Sequence, residues 1–407
     1  MFPPFVLYRP SVLLLTYFYN SPVPFTFKAM VRHLLALIMG LGFSSLVCAQ
    51  TNASIQFDGT TRNYIYYIPT SYTQGQSLPL LFVLHGASQT GQRIMDVSAF
   101  NDIAESEGFI AIYPDGINTL WNAGFDVPGA STADDVGLIV ELVNQFHAQY
   151  SIDLSRVYSC GLSNGGYLSH RLACEAPICF AGIASVAGSI AESIYDNCNP
   201  PNNLAVMQIH GTADLVVSYA GGLAGKSVDD IIDLWVGENS CSSPPTVISL
   251  PNTDPLDLST VEKSVYNQCD DNTNVVLLKV NGGGHQWPGT SDLFGGVGTL
   301  NKDINASQEI WNFLKNYRCA ATTNLNEIES LTINVYPNPS FGMLTIELPY
   351  QEVGAKLQIL DATGQVVEAI TFRDHSTNHF DIDLPPGMYF AAYKSNSTLL
   401  SRKVMIF

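Results

Sequence analysis

Positive charge is scarce in this 407-residue chain: 18 Lys and Arg stand against 36 Asp and Glu, a formal net charge of −18 at pH 7. No basic run interrupts that balance, which excludes nucleic acid phosphates as partners and predicts a solvated acidic surface. Zinc-type spacing of Cys and His is missing, as is any internal repeat, and neither a metal nor another cofactor is expected. Charged residues make up only 13% of the chain, yet a hydrophobic share of 46% can fill a sizeable core, so a disordered chain is excluded. The length exceeds one ordinary domain and predicts a large unit plus a smaller one.

The N-terminal region reads as targeting sequence. Residues 1–29 are apolar but broken by Pro10, Pro22 and Pro24. A mis-set start, with translation beginning at Met30, is expected there in preference to a membrane anchor. From Met30 a short positive segment (Arg32, His33) leads into an apolar run and then to Val47-Cys48-Ala49. This pattern predicts a secretory signal occupying residues 1–49 and cut after Ala49. Cys48 lacks the flanking pattern of a lipidated cysteine. Seven cysteines then remain, and in an exported protein they favour disulfides. Cys241 should pair with Cys269, Cys174 with Cys179 or Cys198, and Cys160, in an apolar strand, should be the free thiol.

Between residues 51 and 319, apolar strands alternate with amphipathic helices. Strands are predicted at 64–68, 80–84, 109–113, 157–160, 182–186, 205–209 and 275–280. Runs such as LLFVL and VVLLKV mark strands buried on both faces. A helix over 134–150, capped by Ser131 or Thr132, should bury Val136, Val140, Val143 and Phe146. A last helix is predicted over 304–317. This alternation specifies an α/β fold, a mostly parallel sheet with helices on both faces. Residues 320–330 (AATTNLNEIES) read as a linker, and 331–407 as a small β-sandwich of short alternating strands separated by Asn-Pro, Thr-Gly and Pro-Pro-Gly turns.

Gly161-Leu162-Ser163-Asn164-Gly165 fits G-x-S-x-G, a pattern that a chain with 32 glycines can also meet by chance. Context decides: an apolar strand leads in and a helix over 165–174 leads out, so the turn should lift Ser163 above the sheet edge. A serine hydroxyl needs a base. Of the eight His residues, His33 lies in the signal and His375 and His379 in the tail. His147 and His170 fall within helices, while His85 and His210 end apolar strands directly before Gly. His285, in NGGGHQWPG, remains as the candidate base. Asp214, in a turn after the strand AVMQIH, is the candidate orienting acid; Asp134 and Asp135 read as first-turn helix residues. The order Ser, Asp, His is that of α/β-hydrolases. Oxyanion donors are expected from the amides of Asn164 and Ala87, with Ser88 as the alternative to Ala87. Trp121, Asn122, Tyr219 and Trp287 are candidates for the substrate wall, although each aromatic fits core packing equally well.

The blocks LLFVLHGASQTG, YPDG, WNAG, ADDVG, GLSNGGYLSHRLAC, HGTAD and NGGGHQWPG, in that order from about Ile55 to Tyr317, resemble the extracellular poly(3-hydroxybutyrate) depolymerase and feruloyl esterase group, close to carbohydrate esterase family 1. The resemblance implies an α/β-hydrolase in which Ser163 is nucleophile, His285 base and Asp214 acid. The tail segments VYPNPSFGMLTIEL, DATGQVV and LPPGMYF resemble the C-terminal sorting domain of type IX secretion in Bacteroidetes. That implies engagement of the secretion machinery, export to the medium or outer-membrane surface, and removal of the tail. The favoured expectation is a monomeric secreted serine esterase acting on feruloyl or acetyl esters of plant polysaccharide. A polyhydroxybutyrate depolymerase with the same triad is the alternative, and a non-catalytic cell-surface binding protein is the alternative of another class.

Overall fold

The structure, a computed structural model, describes residues 50–319 except 126, 128, 224 and 291–295, and in the tail residues 333–341, 343–348, 356–361, 364–371, 379–394 and 399–407. The expected signal region 1–49 and linker 320–330 lie outside the described residues. The chain divides into two units, Met1–Ala320 and Ala321–Phe407.

In the first unit, strands β1 (Gln50–Phe57), β2 (Thr60–Tyr67), β3 (Leu80–Leu84), β4 (Ile110–Pro114), β5 (Val157–Leu162), β6 (Gly182–Val186), β7 (Ala205–Gly211), β8 (Thr246–Ser249), β9 (Thr260–Tyr266) and β10 (Val275–Asn281) form one sheet. Its order is β1-β2-β4-β3-β5-β6-β7-β10-β9-β8. Pairing is parallel from β4 through β10 and antiparallel at both edges. The helices are α1 (Gly91–Ser98), α2 (Phe100–Glu107), α3 (Asp135–Tyr150), α4 (Asn164–Glu175), α5 (Glu192–Asp196), α6 (Val228–Glu238) and α7 (Ala306–Leu314).

The continuous apolar run of β3 explains its central place. Its pleat sends Leu80, Phe82 and Leu84 into one core, with Leu138 and Leu142 of α3, Leu172 of α4 and Trp235 of α6. Leu81 and Val83 enter the opposite core, with Ile94 of α1, Phe100 of α2 and Trp311 of α7. Strand order reverses at β3, because β4 lies on one side of it and β5 on the other. The carboxyl ends of β3 and β5 therefore meet at a switch point, where sheets of this kind open a crevice for ligands.

The seven predicted strands are all present, within a few residues of the expected limits. β1, β8 and β9 were not anticipated. All three pair antiparallel, β1 and β8 as the sheet's two edges and β9 between β8 and β10, and β8 is exposed throughout, so pairing holds them without an apolar run to announce it. The expected cap of α3 is corrected: the Asp134 side chain, not Ser131 or Thr132, accepts from the Gly137 amide. Its buried face is centred on Leu138, Ile139 and Leu142 in addition to Val143 and Phe146, while Val136 and Val140 are half-buried. That helix is apolar around most of its circumference, so spacing alone located the face one residue off.

Disulfides join Cys241 to Cys269 as expected, Cys174 to Cys198, and Cys179 to Cys319 across 140 residues. Among the described residues Cys160 is the free thiol, and it is buried. In the tail unit, β11 (Asn334–Tyr336), β12 (Met343–Glu347) and β15 (His379–Asp383) form one antiparallel sheet. Strands β13 (Lys356–Asp361), β14 (Val366–Thr371), β16 (Gly387–Lys394) and β17 (Leu399–Ile406) form a second, and both sheets contribute to one core containing Ile346, Ile382, Ile359 and Tyr393.

Candidate active site

Ser163 joins β5 to α4 at φ 52° and ψ −119°, a conformation that costs a non-glycine residue energy and persists only where its surroundings impose it. They do so through backbone crowding. A Cβ on Gly161 would stand 2.4 Å from the Gly165 carbonyl carbon, and one on Gly165 would stand 2.2 Å from the Leu84 oxygen. The Ser163 amide donates to the Val186 carbonyl at 2.8 Å, and its own carbonyl accepts the Tyr167 amide at 3.0 Å. From Val157 to His170, Ser163 is the one residue that is not buried. The turn thus presents a single hydroxyl at the end of an otherwise closed strand and helix, with the α4 N-terminus beside it.

The loops that follow β7 and β10 are laced together. Ala213 N donates to Gly283 O at 2.9 Å, Thr212 N to Val280 O at 2.9 Å, and Gly282 N to Thr212 Oγ1 at 2.9 Å. The approach is close enough that a Cβ on Gly211 would sit 2.2 Å from Gly283 O, and in the second loop a Cβ on Gly284 would sit 2.3 Å from Val297 O. The lacing brings Asp214 and His285 together, with Asp214 Oδ2 2.8 Å from His285 Nδ1. Asp214 Oδ1 accepts from the amides of Val216 and Val217, each at 2.8 Å. Burial alone would raise the Asp214 pKa. The His285 hydrogen bond and the two amides outweigh it and hold the group below its ordinary value. An ionised Asp214 accepts only, so the proton of a neutral His285 sits on Nδ1 and Nε2 keeps its lone pair. His285 itself is fixed by a backbone bridge with Val297.

Past β3, Gly86 passes directly over the serine turn: its would-be Cβ lies 3.4 Å from Ser163 Cβ. Ala87 and Ser88 follow on the surface. The Ser88 amide is committed to the Thr119 carbonyl at 2.9 Å, whereas no described residue accepts from the Ala87 amide. His85 anchors this loop. Its Nε2 accepts from Gly116 N at 2.9 Å, which places the ring proton on Nδ1, 2.8 Å from Gly86 O. Desolvation lowers the His85 pKa and keeps it neutral, against the opposing pull of the Gly86 carbonyl and of Asp115 and Asp135.

Two of the four wall candidates are core residues. Trp287 is 2% exposed, gives its Nε1 to Ser307 Oγ and meets Phe100 edge to face. Trp121, also 2% exposed, donates Nε1 to His85 O and packs against that ring. Neither offers a face to a ligand, because each is consumed in holding a loop. Asn122 is half-buried, with its side chain donating to Ala133 O, and the half-buried Tyr219 donates to Asp229. The Asn164 side chain had been overlooked. It accepts the Trp121 amide at 2.8 Å and so ties the serine turn to the 120s loop. His210, set aside in the sequence as a histidine ending an apolar strand before Gly, stands 3.5 Å from Asp214. The signal available was a polar residue at each end of Gln208-Ile209-His210, in a strand buried throughout.

A mostly parallel sheet covered on both faces, with a serine raised on a strained strand-to-helix turn at its switch point, defines an α/β-hydrolase fold. Comparison with known proteins gives the family. Residues 62–221 match the family described as esterase PHB depolymerase, and residues 334–407 match the secretion system C-terminal sorting domain. Over those stretches the chain is similar to a family of carboxylic ester hydrolases and to a sorting domain found on secreted or cell-surface proteins. Feruloyl esterase B of Piromyces equi is 27% identical over 239 residues, 55% of this chain and 42% of that one. The poly(3-hydroxybutyrate) depolymerase of Ralstonia pickettii is 31% identical over 206 residues, 47% of this chain and 38% of that one. The chain thus spans less than half the length of each. Among solved structures, an acetyl xylan esterase from Aspergillus awamori is similar at 16% identity and a TM-score of 0.45, covering 65% of this chain and 98% of that one.

Proposed function

We propose that residues 51–319 form a serine esterase that cleaves feruloyl or acetyl esters from plant polysaccharide, exported by way of a signal at 1–49 and a sorting domain at 331–407 beyond a linker at 320–330. In this reading Ser163 is the nucleophile, His285 the base and Asp214 the orienting acid, and the amides of Ala87 and Asn164 receive the oxyanion. The observation that carries it is the buried 2.8 Å contact between His285 Nδ1 and Asp214 Oδ2, at the same sheet end as the strained serine turn. With Nδ1 protonated, Nε2 takes the Ser163 proton as Oγ attacks the ester carbonyl. The tetrahedral oxyanion leans on the two amides, and the alcohol leaves with the proton from His285. Water then attacks the acyl-serine with His285 again as base, releasing the acid.

Hydrolysis of a hydroxyalkanoate polyester is the second reading, and one observation favours it. Leu215 and Val216 directly follow Asp214 and are 85% and 49% exposed, while Val297, bridged to His285, is 46% exposed. Apolar side chains beside the triad suit a solid apolar polymer. Ser163→Ala should lower ester turnover on the order of 10³-fold or more while the fold persists. Near-full activity in that variant would remove Ser163 from the chemistry. Supplying the purified protein with feruloylated arabinoxylan and with polyhydroxybutyrate film, then identifying the acid released, separates the two substrates.

A further inference from the structure

Next to Asp214 runs a row of buried polar side chains that the triad itself does not use. His210 and Gln208 lie on β7, His170 on α4 and Trp235 on α6, and none is more than 1% exposed. Trp235 Nε1 is 3.1 Å from His170 Nδ1, and His170 Nε2 is 3.1 Å from Gln208 Oε1. Gln208 Nε2 is 3.1 Å from His210 Nδ1, and His210 Nε2 is 2.8 Å from the Val217 carbonyl oxygen. Gln208 Nε2 also donates to the Gly188 carbonyl at 2.8 Å.

Three groups in this row work in one sense only. The indole N–H can only donate, and the carbonyls of Gly188 and Val217 can only accept. The indole makes His170 Nδ1 an acceptor and leaves the ring proton on Nε2. The Gly188 carbonyl turns the amide nitrogen of Gln208 toward itself and toward His210 Nδ1. Val217 requires the His210 proton on Nε2. All three constraints give the same assignment, so no hydrogen bond in the row has an alternative direction. A second proton on His210 would meet the Gln208 amide donor to donor, and the row therefore holds that ring neutral.

Its near end bears on the acid. Val217 gives its amide to Asp214 Oδ1 at 2.8 Å and takes the His210 proton on its carbonyl. His210 Nε2 stands 3.5 Å from Asp214 Oδ2, the oxygen that holds His285. We propose that His210 is a positioning residue for Asp214, its orientation imposed by the one-way row from Trp235 through His170 and Gln208. Resting on the triad reading, the proposal gives the row two tasks. It clamps the turn from Asp214 to Val217 so that Oδ2 stays on His285. It also sets a neutral N–H dipole beside Asp214, so no second cation competes with the imidazolium that forms on His285.

The test compares His210→Phe, which keeps a ring of similar size without a donor, with His210→Gln, which restores one, using 4-nitrophenyl acetate on the full-length protein. His210→Phe should lower kcat about 10²-fold with KM nearly unchanged, as misplacement of a catalytic group does. His210→Gln should recover about a tenth or more of the parental kcat, a rescue that filling the cavity alone would not bring. A folded His210→Phe enzyme, verified by its melting temperature, with the parental kcat overturns the proposal. Should that variant not fold, Trp235→Phe decides. It keeps a buried aromatic and should lower kcat about tenfold, and a parental kcat there overturns the proposal equally. Ser163→Ala is measured alongside. Activity surviving in it removes the triad reading, whereas an inactive Ser163→Ala beside a fully active His210→Phe removes only the row.

Discussion

Crowding around Ser163 leaves room for a hydrogen atom and nothing larger at two positions. At Gly165 the obstruction is the Leu84 carbonyl, backbone of the central strand, which cannot rotate away as a side chain would. Gly165→Ala should therefore cost about 3 kcal/mol, the upper end of ordinary overpacking, and lower both melting temperature and ester turnover. A variant with the parental melting temperature would show that the turn has slack. These requirements were legible from the spacing of Gly161, Ser163 and Gly165, because steric conflict within five residues is a local property. His285 and Asp214 could be reached by elimination, yet their contact is not written in either segment. Trp121 and Trp287 mark the opposite case: an aromatic beside a site motif looks the same whether it lines a cleft or props a loop, and only burial tells the two apart.

Helices α4 and α6 are docked on the sheet partly through the imidazole of His170, which accepts from Trp235 and donates to Gln208. Burial pushes the His170 pKa down from 6.5 to about 4, although the Gln208 hydrogen bond opposes the shift. The unfolded chain takes up this proton near its ordinary value and the folded chain resists until about pH 4. Between those limits the unfolded state binds more protons, so stability falls as pH falls, by about 3 kcal/mol in all. The contribution is complete above the unfolded value. Urea unfolding at neutral and acid pH should show that loss, and His170→Gln should reduce the difference between the two. An unchanged pH dependence in that variant would mean that His170 is not held neutral. At this scale the sequence announced the central strands, whose apolar runs are continuous. It was silent on β1, β8 and β9, whose place depends on a neighbouring strand.

For the whole molecule, the two units answer to different demands. The acidic balance of −18 keeps the surface solvated, and the tail matches a secretion sorting domain from residue 334 to the C-terminus, the mark of a secreted or cell-surface protein. If the tail is a sorting signal that is removed, the intact mass of the protein recovered from the medium should correspond to a chain lacking residues 331–407. A mature form that retains them would count against that reading. The sequence by itself determined the alternation of strand and helix, the serine turn, the order of the proposed triad, the Cys241–Cys269 disulfide and the change of texture at the tail. Each of these follows from periodicity, sterics or spacing over a short stretch. The tertiary structure alone decided that Cys179 joins Cys319, that Asp214 meets His285, that Trp287 is core, and that four polar side chains from three elements form one directed row. Those outcomes depend on which distant backbones the sheet brings within hydrogen-bonding reach, and no local pattern encodes that distance.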